Sequence, residues 1–198
     1  MTEAYDGAAL ARALESADPR GARLFTATVS EALVTWLRPA VALPVVLQTT
    51  QDLAARSTEF LWDSVGPGGD PDAGADLHTE IEAALEEFPD EIGLFEDALS
   101  GLYYAIQFAS EGGVGHAALV AEKLYEAADH TALDRSASVP GILQDSDAIR
   151  SLPEVQHALR LLRRALEVAG GVTPDAGDAD IAGFVQAARA VVNEAGEL

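Results

Sequence analysis

The 198-residue sequence contains no cysteine, one lysine and one methionine. Without cysteine it can form no disulfide, no thiolate metal site and no thiol nucleophile. No apolar run reaches the ~18 residues that a bilayer-spanning helix needs. The first residues also lack the basic and apolar regions of a secretory signal. These absences predict a cytoplasmic protein without a membrane segment.

Positive charge is scarce, with 12 Lys and Arg against 33 Asp and Glu, and the net charge is −21. Affinity for nucleic acids comes mainly from Lys and Arg on phosphates, so this composition predicts no nucleic-acid partner. Anionic membrane surfaces are excluded for the same reason. The field of such a protein would attract basic proteins, cations and polyamines. Alternatively, the charge serves only solubility or adaptation to salt.

Strand patterns are also scarce, whereas apolar residues recur at helical spacing along most of the chain. We therefore expect an all-α protein: a single-domain bundle of seven to eight helices spanning residues 1–198. Its core would occupy 20–170, with additional terminal helices over 4–16 and 178–196. The apolar segment 91–110 is predicted to be the central buried helix, with Gly101 in close contact with a neighbour. The Gly- and Pro-rich segment 66–74 predicts a loop, followed by a helix that begins at Asp76 or Thr79.

The acidic residues concentrate in the middle of the chain, where fifteen Asp and Glu and no Lys or Arg lie between Ser57 and Glu122. This is the negative pole of the molecule unless folding brings the flanking arginines onto it. Within this stretch Ile81, Leu85 and Phe88 share the inward side of a predicted helix, which turns its glutamates outward. We call the predicted binding surface the acidic face. It consists of Glu80, Glu82, Glu86, Glu87 and Glu91, with Asp70, Asp72 and Asp76 as its rim.

Motifs with defined chemistry are missing. The four histidines, at positions 78, 116, 130 and 157, lie on different segments, and the Glu154-x-x-His157 spacing has no second copy to complete a metal site. The segment Asp70–Asp76 lacks the glutamate that a calcium loop places twelve positions from its start, where this chain has Ile81. The glycine-rich stretches 66–69 and 112–115 lack the Lys-Ser/Thr of a phosphate-binding loop. We therefore predict no catalytic residue, no metal and no cofactor.

Two weaker hypotheses remain open. Glu96 and Glu122 flank apolar helix faces and are the best candidates for a general acid, and a ligand site between the central helices could be lined by Tyr103, Tyr104 and Glu122. The arginines at 160, 163 and 164 form the one cationic group. They either pair with Glu167 and the glutamate-rich helix or bind an anion or a partner.

Several short motifs, spread from Leu24 to Ala169, resemble a known family. They are Phe25…Ala27…Glu31, Leu61-Trp62, Leu85-Glu86-Glu87, Tyr103-Tyr104-Ala105-Ile106, His116-Ala117 with Ala121-Glu122, and Leu152-Pro153-Glu154-Val155-Gln156. In their order they resemble the YjaG-like bacterial proteins, a small all-helical domain of unknown function. The resemblance implies a shared helical fold and carries over no functional residue.

Together these observations predict a non-enzymatic protein that acts by protein–protein contact. The specific hypothesis is an immunity-type antagonist whose acidic face covers a basic partner. The alternative is a small-molecule-binding or enzymatic bundle. The sequence specifies neither the identity of a partner nor the oligomeric state.

Overall fold

A computed structural model of the chain describes residues 4–37, 46–66, 71–87, 93–136 and 146–195, and all regular secondary structure within these ranges is α-helical. The predicted all-α bundle is confirmed, with nine described helices instead of seven or eight. The additional helix is the short α7. The helices are α1 (Gly7–Ser16), α2 (Pro19–Leu37), α3 (Val46–Asp63), α4 (Pro71–Glu87), α5 (Gly93–Glu111), α6 (Val114–Ser136), α7 (Ser146–Arg150), α8 (Pro153–Gly170) and α9 (Asp178–Ala195).

Local signals set several helix boundaries. The Asp6 carboxylate accepts a hydrogen bond from the Ala9 amide at 2.9 Å and caps α1. Proline is the first residue of α2 and of α8, a position where its missing N–H leaves no intrahelical bond unmade. Between α5 and α6 the chain turns at Gly112 and Gly113, whose φ angles of 78° and 89° favour glycine.

The start of α4 corrects the sequence-based prediction, because this helix begins at Pro71 and not at Asp76 or Thr79. Residues 71–74 were predicted to belong to a loop, yet Gly74 lies inside the helix. A Cβ atom there would stand 2.8 Å from both Phe60 Cζ and Ser110 Oγ, so the glycine allows α3, α4 and α5 to approach closely. The predicted loop over 66–74 is therefore wrong from Pro71 onward, and a calcium loop over this segment is incompatible with the helix. Residues 67–70 lie outside the described ranges.

Two helices form the centre of the bundle. The predicted central helix, α5, packs against α2, α3, α4 and α6, and buries Leu102 and Ile106 completely. Helix α2 packs against α3, α5, α6, α8 and α9 and has an equally central place. Gly101 of α5 lies where these two helices meet, as predicted: a Cβ atom there would be 2.5 Å from Leu33 Cδ2 of α2.

The outer helices cover this centre. Helix α1 packs on α6, whereas α9 packs on α2 and α8. The Arg20 guanidinium holds the segment before α9, because it donates to the carbonyl oxygens of Thr173, Pro174 and Ala176 at 2.9–3.1 Å. None of the helices in the described ranges is both long and apolar enough to cross a lipid bilayer.

Candidate functional site

The orientation of α4 agrees with the sequence pattern. Leu77 and Ile81 are buried against the bundle, and Ala84 and Leu85 are half-buried. The opposite side carries the exposed residues of the acidic face, namely Asp76, Glu80, Glu82, Glu86 and Glu87. Asp72 lies in the first turn of α4, but its side chain is outside the described part of the structure, as are Asp70, Phe88 and Glu91. Five of the eight predicted residues are therefore exposed on α4, with Glu80 on the side next to α3 and Glu82 and Glu86 farther round the helix.

The neighbouring helix α3 extends this negative surface. Asp52, Arg56, Glu59 and Asp63 are all exposed, and their spacing of four, three and four residues places them on one side of the helix. Since α3 packs against α4 and Arg56 bonds to Glu80, the charged side of α3 lies next to the Glu80 side of α4. In the described parts of these helices, the exposed charged side chains are eight carboxylates and one guanidinium.

The one guanidinium joins the two rows. Arg56 Nη1 and Nη2 lie 3.1 and 2.5 Å from Glu80 Oε1 and Oε2, a two-pronged ion pair across the helices. The hydrogen bond from Arg56 lowers the pKa of Glu80, and the same bond raises the pKa of Arg56. Folding thus brings one flanking arginine onto the acidic face. Among the described residues no ion pair involves Glu82, Glu86 or Glu87.

A second polar cluster was not found by sequence reasoning. Asp97 of α5 is buried, and its carboxylate bonds to two residues of α6: Lys123 Nζ at 3.3 Å and His130 Nδ1 at 2.8 Å. Lys123 also contacts Glu126 at 2.6 Å. Burial lowers the pKa of Lys123, but the bonds and attraction to Glu126 and Asp97 outweigh it, so the pKa is raised. This cluster ties α5 to α6 with the one lysine of the chain.

The buried carboxylates differ from the two that the sequence favoured. Glu96 and Glu122 are exposed, whereas Asp97 and Glu154 are buried. Glu154 receives a bond of 2.7 Å from Arg135 Nη1. A general acid needs a carboxyl group in an apolar pocket, and the exposure of Glu96 and Glu122 removes the reason for assigning them that role. Asp97 directly follows Glu96. A prediction that placed the buried side of α5 one residue later would have identified it.

Tyr103, Tyr104 and Glu122, which were predicted to line a ligand site between the central helices, do not all contact one another. Tyr103 stacks against His78 of α4, with ring centroids 4.2 Å apart, and contacts Tyr104 edge-on. Glu122 lies near Tyr5 instead, at the start of α1. The tyrosines and the glutamate therefore face different neighbours.

The histidines and arginines also separate. His130 bonds to Asp97, His78 stacks on Tyr103, and His157 contacts the Trp36 ring edge-on. In the described ranges no three His, Asp or Glu residues are grouped to hold a metal ion. Arg163 lies 3.7 Å from Glu167, as one prediction had it. Their helix α8 packs on α2, α6, α7 and α9, whereas the glutamate-rich α4 packs on α3 and α5.

Comparison of the chain with protein-family models, with curated proteins and with solved structures gives no match. The resemblance to the YjaG-like proteins therefore stays a prediction. The exposed carboxylates of α3 and α4 are the main feature of the described structure that bears on function.

Proposed function

We propose that the protein acts by binding a basic protein through the acidic face on α4 together with the exposed carboxylates of α3. The observation that carries the proposal is the ratio of eight exposed carboxylates to one arginine on these two helices. In its specific form, the protein is an immunity-type antagonist that covers a cationic surface of its target.

The charge pattern within α4 supports a role beyond solubility. Glu82 and Glu86 stand four residues apart on one exposed side, where like charges destabilise a helix by a few tenths of a kcal/mol. A single lysine at either position would relieve this repulsion. A surface that keeps the repulsion is suited to a partner whose cations neutralise it.

The electrostatics also define how such binding would behave. Clustered charge of one sign steers an oppositely charged partner and raises the association rate, and the effect weakens as salt is added. Cationic side chains are the groups that this surface can pair with, whereas phosphate-rich polymers would be repelled.

The test compares the wild type with two variants of equal net charge. Glu82→Lys/Glu86→Lys changes the acidic face, while Glu15→Lys/Asp175→Lys makes the same change at exposed positions on α1 and before α9. Each variant carries a net charge of −17 in place of −21, because each of its two substitutions replaces a negative charge with a positive one. Each protein is immobilised and incubated at low salt with lysate from its source organism.

We expect the wild type and the control variant to retain the same basic protein, and the Glu82→Lys/Glu86→Lys variant to lose it. The isolated partner should then bind the wild type with an association rate that falls steeply with salt. Retention of the same proteins by all three would show that net charge alone governs binding, and would contradict a specific role of the acidic face.

A further inference from the structure

A cavity of about 540 Å³ lies near the ends of α1 and α8, two helices that do not carry the acidic face. It opens between the end of α1 (Ala13 and Ser16), the residue before α2 (Asp18), the end of α8 (Leu166 and Gly170) and Val172. We call it the α1–α8 cavity. Its volume is within the range of small-molecule sites, which is roughly 300–1,000 Å³.

The walls of the α1–α8 cavity combine apolar surface with acceptors. Ala13, Leu166 and Val172 supply hydrocarbon, whereas Ser16, Thr173 and Asp18 supply the polar side chains. None of the ten residues that line the cavity is lysine, arginine or histidine, and the nearby Arg20 guanidinium pairs with Asp18 from outside this lining. A ligand that fits these walls has an aliphatic body and hydrogen-bond donors.

Helix ends add negative potential to this cavity. Helix α1 ends at Ser16 and α8 ends at Gly170, and both residues line the cavity. The last carbonyl groups of a helix carry the equivalent of about half a negative charge. The opposing positive end of α2 is capped, because the Arg20 amide donates to Asp18 Oδ1 at 2.9 Å.

Asp18 has a free acceptor for a ligand. Its side chain is 9% exposed, and both bonds from Arg20, from the amide and from Nε, end on Oδ1. Within the described residues this leaves Oδ2 without a donor. The Nη atoms of Arg20 are engaged by the carbonyl oxygens of Thr173, Pro174 and Ala176, so they hold the wall of the cavity.

We propose that the α1–α8 cavity binds an aliphatic amine. The alkyl stem packs along Ala13, Leu166 and Val172, and the ammonium group donates to Asp18 Oδ2 and to the carbonyl groups at the helix ends. The amine is either a free polyamine or the side chain of a lysine from another protein. This site is separate from the acidic face and does not depend on the function proposed for it.

The experiment follows the methyl signals of Leu166 and Val172 by NMR while n-butylamine is added. n-Butanol serves as a probe of the same length without charge. We expect saturable shifts with the amine and about tenfold weaker binding of the alcohol. Asp18→Asn should weaken the amine to a similar degree, since asparagine keeps an acceptor for the cap of α2 and removes the charge.

Variants that fill the cavity locate the binding. Ala13→Trp should abolish the shifts, whereas Ala9→Trp, an exposed position on the same helix, should leave them intact. Gly170→Leu is the second filling variant, because a Cβ atom there would meet nothing within 4 Å and folding should be undisturbed. Glu82→Lys/Glu86→Lys should bind the amine as the wild type does, which separates the cavity from general attraction to the surface.

Putrescine and acetyl-lysine amide distinguish the two sources of the amine. Tighter binding of putrescine supports a free polyamine, and tighter binding of acetyl-lysine amide supports a lysine side chain. The proposal is wrong if amine and alcohol bind equally well. It is also wrong if filling the cavity with Gly170→Leu leaves the shifts unchanged.

Discussion

At Gly101 the bundle has no room for a side chain, because Leu33 of α2 and Lys123 of α6 close on it. A Cβ atom would be 2.5 Å from Leu33 Cδ2, and Leu33 is completely buried and cannot move aside cheaply. Alanine would gain about 1 kcal/mol of helix propensity. Overpacking of a core costs about 1–3 kcal/mol, so the cost of crowding Leu33 should exceed the gain in helix propensity.

We therefore predict that Gly101→Ala lowers the free energy of unfolding, measured by urea denaturation. Gly183→Ala is the matched control, since Gly183 is exposed inside α9 and a Cβ atom there would meet nothing within 4 Å. It should raise stability by roughly 0.5–1 kcal/mol. Equal effects of the two substitutions would contradict the close contact at Gly101.

Asp97 gives a second prediction at this scale. Asp97→Asn should lower the free energy of unfolding by about 1–3 kcal/mol, because it weakens two bonds to a buried carboxylate, from Lys123 and from His130. Glu126→Gln should cost under ~1 kcal/mol, since Glu126 is 39% exposed. Chemical denaturation of both variants provides the comparison. A cost for Asp97→Asn no larger than for Glu126→Gln would show that burial of Asp97 contributes little.

Among the helices, α1 is attached to α6 through an aromatic pair just before its first turn. The Tyr5 ring stacks on Tyr125 with centroids 5.0 Å apart, and its hydroxyl donates to the Ala118 carbonyl oxygen at 3.4 Å. The pKa of Tyr5 is raised to about 12, mainly by burial and in part by the nearby charges of Glu122 and Glu126. The neutral phenol is therefore the form that the folded protein prefers.

This pKa predicts a loss of stability in alkaline solution. The pKa of Tyr5 is about 12 in the folded protein and about 10 for a tyrosine in the unfolded chain. The stabilisation provided by the buried neutral phenol is complete below a pH of about 10. It disappears as the pH rises through about 12, the pKa of Tyr5 in the folded protein. Tyr5→Phe keeps the stacking and should show less alkaline destabilisation than the wild type in thermal melts. An identical pH profile for the two proteins would contradict the role of the phenol.

In α4, single substitutions test whether Glu82 and Glu86 repel each other or have a structural partner. Glu86→Lys should raise the free energy of unfolding by about 0.2–0.5 kcal/mol, because it places a cation four residues after Glu82 and near the negative end of the helix. Glu82→Gln, which removes the repulsion without creating an ion pair, should raise it less. Calorimetry of both variants gives the ranking. A clear loss of stability in either would mean that these glutamates have a structural partner.

At the scale of the whole molecule, the net charge of −21 makes the folded state repel itself. Added salt shortens the screening length from about 10 Å at 0.1 M to about 3 Å at 1 M, so the melting temperature should rise with salt over this range. NaCl and KCl should act equally. A markedly stronger effect of KCl would favour adaptation to intracellular salt over a binding role of the charge.

Features that depend on neighbours within a few turns of helix could be predicted from the amino-acid pattern alone. The 3.6-residue periodicity around Ile81 and Leu85 defined the buried side of α4, and therefore the outward direction of Glu82 and Glu86. Pro153 occupies the first turn of α8, a position that proline favours for an equally local reason. These signals can be read from the chain because helix formation and capping involve residues close in sequence.

Which helices become neighbours depends on packing between distant parts of the chain, and this packing creates the remaining polar contacts. Asp97 meets Lys123 and His130 across 26 and 33 residues, and Arg56 reaches Glu80 across 24. Gly74 was expected in a loop, yet it belongs to α4, where Phe60 and Ser110 leave no room for a side chain. The α1–α8 cavity likewise exists only because the ends of two helices distant in sequence flank it. Such contacts depend on long-range packing of complementary surfaces, which the periodicity of a single helix does not contain.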